Sequence, residues 1–175
     1  MGRSAAGPKV GDVGMRIGQG FDVHRLAPGR PLRLGDVEIP HDRGLEGHSD
    51  GDVLCHAVTS ALLGALGDGD LGSHFPSSDA RWAGVRSGEL LAAVAGRLGE
   101  RGLRLAHLDA TVIAQEPRLA PYREAMERAL AARLGAEALR VNVKITSTDG
   151  LGSIGRGEGI AAQAVVLLET QASEG

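Results

Sequence analysis

Arg16-Ile17-Gly18-Gln19-Gly20-Phe21-Asp22-Val23-His24 puts its apolar residues Ile17, Phe21 and Val23 at odd positions and Gly18, Gly20, Asp22 and His24 at even ones. Successive side chains of a strand point to opposite faces, so this alternation predicts a half-buried β-strand. Asp22 and His24 then share one side, a carboxylate beside an imidazole. Such a strand needs partners, and the following residues supply them. Leu32 and Leu34, then Val37 and Ile39, flank Gly35-Asp36, a two-residue hairpin signal, and Pro40 ends the second arm.

Beyond a glycine-rich loop, Leu54, Val58, Ala61, Leu62 and Ala65 recur at spacings of three and four, the stripe of an amphipathic helix. Ser49 with Asp52 three residues later has the form of a capping box, which predicts a helix start at about Ser49 or Asp50. Leu90, Leu91, Val94 and Leu98 predict a second helix over Glu89 to Arg101, with Gly102 as its stop. Leu103 to Gln115 reads as a strand broken by Glu116-Pro117, and Pro121 opens a third helix that ends near Gly135. Val141, Val143 and Ile145 alternate with polar residues as a further strand, and Ile160 to Glu169 is an apolar run fit for a buried last strand. This order predicts an α+β fold, a mixed β-sheet with helices packed on one face.

At 175 residues, 42% hydrophobic and 23% charged, the chain suits one globular catalytic domain over residues 15–170. Residues 1–14 read as a disordered N-terminal extension, with Met15 as an alternative start, and residues 171–175 as a C-terminal tail. A net charge of −3 with no basic stripe argues against nucleic acid as a partner, and no apolar run is long enough to span a membrane. Cys55 is the single cysteine, so no intrachain disulfide forms; with no secretory-type segment, a cytoplasmic location is expected. The aromatic residues are only Phe21, Phe75, Trp82 and Tyr122, so the core must be built from Leu, Val, Ile and Ala, and assembly with other copies could bury further apolar surface.

If the first strand packs on the first helix, Asp22, His24 and His56 can meet as a three-ligand site with one position open, the arrangement of a catalytic zinc. Manganese or iron would also accept that donor set. Each histidine taken singly is more commonly an ordinary surface or core residue. His48-Ser49-Asp50-Gly51-Asp52 lies at a helix N-terminus, where free N–H groups favour an anion, although Ser49 as a plain cap is the commoner case. Thr146-Ser147-Thr148-Asp149, at a strand end, offers hydroxyls and a carboxylate suited to phosphate oxygens and hydrated magnesium, or else forms a polar β-turn. In Gly155-Arg156-Gly157-Glu158-Gly159 the Arg and Glu could pair, in a structural turn or a phosphate loop.

Taken together and in order, Gly18 to His24, His48 to Asp52 with His56, Gly69-Asp70-Leu71-Gly72 followed by Phe75-Pro76, Ala114-Gln115-Glu116-Pro117 and Gly155 to Gly159 resemble the 2-C-methyl-D-erythritol 2,4-cyclodiphosphate synthases of non-mevalonate isoprenoid biosynthesis. The resemblance covers about Arg16 to Glu169. It implies a homotrimer with sheets around a central axis and active sites between subunits. The substrate would be a cytidine diphosphate ester, 4-diphosphocytidyl-2-C-methyl-D-erythritol 2-phosphate, whose 2-phosphate attacks the β-phosphorus to close a cyclic diphosphate and expel CMP. It further implies that Asp22, His24 and His56 hold zinc, and that Asp149 helps place a magnesium or manganese ion bridging the phosphates. His48 and Ser147 match positions that stabilise the transition state. Ser49, Asp70, Leu71, Gly72 and the segment Phe75, Pro76, Ser77, Ser78, Asp79 correspond to the methylerythritol-phosphate side. Ala114, Gln115, Glu116, Pro117, Arg118, Leu119 and Ala120 correspond to the cytosine pocket, Thr146 to Asp149 to the phosphate loop, and Arg156 lies near the phosphates or the trimer axis.

Four positions depart from the family pattern: Asp149 stands for Glu, Ser147 for Thr, Arg118 for Lys, and Ser153 for an aromatic residue lining a central cavity. None removes a zinc ligand. The competing readings of the same residues are a zinc-dependent phosphoesterase and a non-catalytic trimeric zinc- or isoprenoid-binding protein. A bare binding module does not need a nucleotide turn and a hydroxyl-rich loop in addition to three metal ligands, and a phosphoesterase would release inorganic phosphate instead of CMP.

Overall fold

A computed structural model describes residues 14–171, so the expectations for residues 1–13 and 172–175 lie outside the described residues. The first strand, β1 (Met15–Pro28), is longer than predicted and pairs antiparallel with the last, β7 (Gly159–Thr170). The hairpin forms as β2 (Leu32–Leu34) and β3 (Val37–Ile39), with Gly35 and Asp36 both at positive φ, the backbone of a tight turn that matches strand twist. A short β4 (Arg43–Leu45), not foreseen, pairs with the end of β1.

The main sheet has the order β4-β1-β7-β5-β6, with β5 (Leu103–Ile113) and β6 (Val141–Thr146). Only the β5–β6 pairing is parallel, so the sheet is mixed, as the element order implied. Three long helices cover one face: α1 (Val53–Leu66), α3 (Ser87–Glu100) and α4 (Arg123–Leu134), while α2 (Leu71–His74) and α5 (Gly152–Gly155) are single turns. α4 follows a 3-10 turn at Ala120–Tyr122 that contains Pro121, and Gly135 closes it in the left-handed conformation. Among the described residues no helix is long and apolar enough to cross a membrane.

One prediction is corrected by the structure and another is completed. The alternation of β1 is real, and its buried side, which the pattern left open, is the glycine side. α1 lies so close that a Cβ on Gly20 would sit 2.0 Å from the Ala57 carbonyl oxygen, and one on Gly18 equally close to that of Ala61. Ile17, Phe21 and Val23 point the other way and are 71%, 57% and 53% exposed. The start of α1 also moves: its cap is Asp52, not Ser49. The Asp52 carboxylate accepts from Leu54 N–H and Cys55 N–H, and also from Gly35 N–H (2.9 Å) and Asp36 N–H (2.7 Å) in the hairpin turn. One fully buried carboxylate thus ties the hairpin to the helix and leaves those first-turn N–H groups no spare capacity for an external anion.

Candidate functional site

β1 and α1 carry the central cluster. Because even positions of β1 face α1, Asp22 and His24 point into the strand–helix seam, and His56, one turn into α1, points back at them. Asp22 Oδ2 lies 2.7 Å from His24 Nε2 and 2.9 Å from His56 Nδ1, and the two nitrogens are 3.3 Å apart. Four donors at about 2.0 Å around a tetrahedral zinc stand roughly 3.3 Å from one another. One carboxylate and two imidazoles, all within 4.8 Å, therefore fit a small divalent cation.

The far nitrogen of each imidazole is engaged as a metal site requires. His24 Nδ1 faces the Glu46 carbonyl oxygen and can only donate there, which leaves Nε2 as a lone pair. His56 Nε2 meets Ser87 Oγ at 2.9 Å and Ser49 Oγ at 3.0 Å. Burial raises the Asp22 carboxyl, but hydrogen bonds and charge from His24 and His56 outweigh it and hold that carboxyl far below the usual range. The Asp22 hydrogen bond in turn raises His24, against the opposing effect of burial. Anion and cation stabilise each other here, and a divalent cation would take the place of the imidazole proton.

The cluster opens into a cleft of about 250 Å³. His48, Ser49 and Ser77 share its polar side with the triad, and Leu71, Phe75, Trp82 and Leu90 form its apolar wall; Gly72 also lines it. Phe75 and Trp82 pack edge to face, their ring centroids 5.0 Å apart. Of the predicted methylerythritol-side residues, Asp70 and Asp79 cap short turns instead of lining the cleft. Asp70 accepts from Ser73 N–H at 2.8 Å, and Asp79 pairs with Arg81 at 2.6 Å. Pro76 and Ser78 do not line it either. The sequence gives no sign of Trp82, Leu90 or Ser87 as site residues; Ser87 belongs to the first turn of α3, which begins two residues before the predicted start at Glu89.

The second predicted group lies elsewhere in the chain. Register along the sheet runs Asp22 to Ala162, Ala162 to Val112 and Val112 to Ile145, so Thr146 to Asp149 and Ala114 to Ala120 sit at the same end of the sheet as the triad. Three strand spacings separate β1 from β6, about 14 Å. The two loops are joined to each other: Gln115 accepts from Gly150 N–H at 3.1 Å, and Ala114 N–H donates to the Thr146 carbonyl at 3.0 Å. Ser147 Oγ donates to Asp149, which is held at positive φ; the Thr146 hydroxyl donates to the Ser147 carbonyl and the Thr148 hydroxyl to the Leu151 carbonyl at 2.7 Å, and Thr146, Ser147 and Asp149 are exposed. Glu116 pairs with Arg43 of β4, whose other nitrogen donates to the Gly157 carbonyl. Arg156 and Glu158 form the expected pair at 2.6 Å.

A model of the YgbB family matches residues 15–169. Over 162 residues the chain is 56% identical to the 2-C-methyl-D-erythritol 2,4-cyclodiphosphate synthase of Laribacter hongkongensis (strain HLHK9), covering 93% of this chain and all of that relative (100%). It is 58% identical over 154 residues to the synthase of Geobacillus kaustophilus (strain HTA426), covering 88% of this chain and 98% of that one. A solved 2C-methyl-D-erythritol-2,4-cyclodiphosphate synthase in its CDP-bound form superposes with a TM-score of 0.81 at 38% identity, over 88% of this chain and 100% of the other. The Plasmodium falciparum IspF–CDP complex does so with a TM-score of 0.80 at 30% identity, over 91% and 98%. The match runs from β1 to β7 and takes in Asp22, His24 and His56, so the chain belongs to the YgbB family.

Proposed function

We propose that this protein converts 4-diphosphocytidyl-2-C-methyl-D-erythritol 2-phosphate to 2-C-methyl-D-erythritol 2,4-cyclodiphosphate and CMP, acting as a phosphorus–oxygen lyase in non-mevalonate isoprenoid precursor biosynthesis. The observation that carries this reading is the convergence of Asp22, His24 and His56 on one wall of a largely apolar cleft in a chain of this family. The catalytic domain is residues 15–170, and the working location is the cytoplasm.

The reaction joins two polyanionic groups, so the protein must hold them in line and neutralise charge as the nucleotide leaves. Asp22, His24 and His56 would hold a zinc ion, which when bound would supply a Lewis acid for phosphate oxygens. His48 and Ser49 present donors to the 2-phosphate side, and Leu71, Gly72 and Phe75 shape the wall that receives the methylerythritol carbons. Ala114 to Ala120 receive cytosine through backbone groups, with Arg118 adding positive charge. Ser147 donates to the transferring phosphoryl group, Thr146 and Thr148 belong to the same phosphate loop, and Asp149 would help place a second ion, magnesium or manganese.

About 14 Å of sheet between the two half-sites supports a homotrimer in which the triad of one subunit faces the nucleotide loops of the next. Among the described residues, Ile17, Phe21 and Val23 are left exposed on one face of the sheet, which supports burial against other copies around a central axis. Product analysis by 31P NMR tests the assignment. CMP and a cyclic diphosphate are expected; inorganic phosphate as the released product would instead make the protein a phosphoesterase.

A further inference from the structure

We propose that Asp50 and Ser87 are positioning residues that lock the His56 ring in the tautomer able to bind a metal. This rests on the metal site proposed above. Ser87 is fully buried, and its hydroxyl lies 2.9 Å from His56 Nε2 on one side and in a short contact with Asp50 Oδ1 on the other. Asp50 Oδ1 also accepts from Ser87 N–H at 3.1 Å and Asp52 N–H at 3.2 Å, while its Oδ2 is buried with no partner. Ser87 thus supplies two of the three hydrogen bonds this carboxylate accepts, its own N–H and O–H.

The direction of each proton follows from the donor and acceptor inventory. A carboxylate accepts and does not donate, so the Ser87 O–H points at Asp50. Its lone pairs then face His56, and Nε2 must carry the proton that they accept. Nδ1 is then the atom that can offer a lone pair to a cation, and it lies 2.9 Å from Asp22 and 3.3 Å from His24 Nε2. Ser49 Oγ lies 3.0 Å from the same Nε2 and 3.0 Å from Ser87 Oγ, so its O–H can turn to the Ser87 lone pairs while its oxygen accepts from Nε2. Without Asp50 the Ser87 hydroxyl is free to turn and donate to Nε2, which moves the ring proton to Nδ1, where it blocks the cation.

The test uses Asp50→Ala, Ser87→Ala and the conservative Ser87→Thr in the full chain. Zinc affinity is read by competition with a chromophoric chelator, and the protonation of each His56 ring nitrogen by long-range 1H–15N correlation in zinc-free protein. Wild type and Ser87→Thr are expected to keep a proton on Nε2. Asp50→Ala and Ser87→Ala are expected to lose that preference and to bind zinc about 10- to 100-fold more weakly. An unchanged Nε2 proton and unchanged zinc affinity in folded Asp50→Ala would overturn the inference. If Asp50→Ala does not fold by circular dichroism, the Ser87→Ala and Ser87→Thr pair decides by the same two readouts. Failure of wild type to bind zinc would sink the metal reading instead, and the tautomer comparison would still decide this one.

Discussion

Asp52 takes four backbone N–H groups on two oxygens, two from the hairpin turn and two from the first turn of α1. Removing it leaves buried donors without partners, so Asp52→Ala should lower the unfolding free energy by about 3 kcal/mol, measurable by urea denaturation. At the proposed transition-state positions the loss belongs to rate and not to folding. His48→Ala and Ser147→Ala should each lower kcat by about 10²- to 10³-fold with little change in the denaturation midpoint; stable variants with wild-type kcat would remove them from the chemistry. Asp22, His24 and His56 were legible in the sequence because a strand and a helix have fixed periods, and the three share a seam once those elements pack. Ser87 was not, since its partner His56 lies 31 residues away and only tertiary packing joins them. The same limit applies to the Glu46 carbonyl behind His24, because backbone acceptors leave no mark on a residue pattern.

At the level of elements, the hairpin, three helices and the last strand were readable from turn chemistry and apolar spacing. The buried side of β1 was not, because alternation shows that two faces differ and says nothing about which one meets the core. Here a helix rides directly on glycines, and the apolar residues are left outward for another purpose. That seam also sets the height of His56 above Asp22. Gly20→Ala should therefore push α1 off β1, lower stability by about 1–3 kcal/mol and weaken zinc binding at the same time. Calorimetry with a parallel chelator competition checks both, and loss of stability with intact zinc affinity would show that the seam does not position the ligands. The mistaken helix start has a similar origin: Ser49 and Asp52 both suit an N-cap, and the choice between them was made by the hairpin turn, which needs the Asp52 oxygens.

For the whole molecule, three strand spacings, about 14 Å, separate β1, which carries Asp22 and His24, from β6, which leads into Thr146 to Asp149, and the proposed trimer would bring these groups together from different subunits. If subunits complete each other's sites, two inactive variants damaged in different halves should restore activity when mixed. His48→Ala and Ser147→Ala, co-refolded, are expected to recover up to about one-third of wild-type turnover through sites that inherit both intact halves. Phe21→Arg, on the exposed sheet face, should shift the assembly toward monomer in light scattering and abolish activity without unfolding the chain. The measurement that bears most directly on the account is turnover of the cytidine diphosphate substrate by zinc-stripped and reconstituted protein. CMP and the cyclic diphosphate should disappear on chelation, return with zinc and magnesium, and fail to return in His56→Ala. Equal CMP release by metal-free protein, or none from protein with both ions restored, would contradict it.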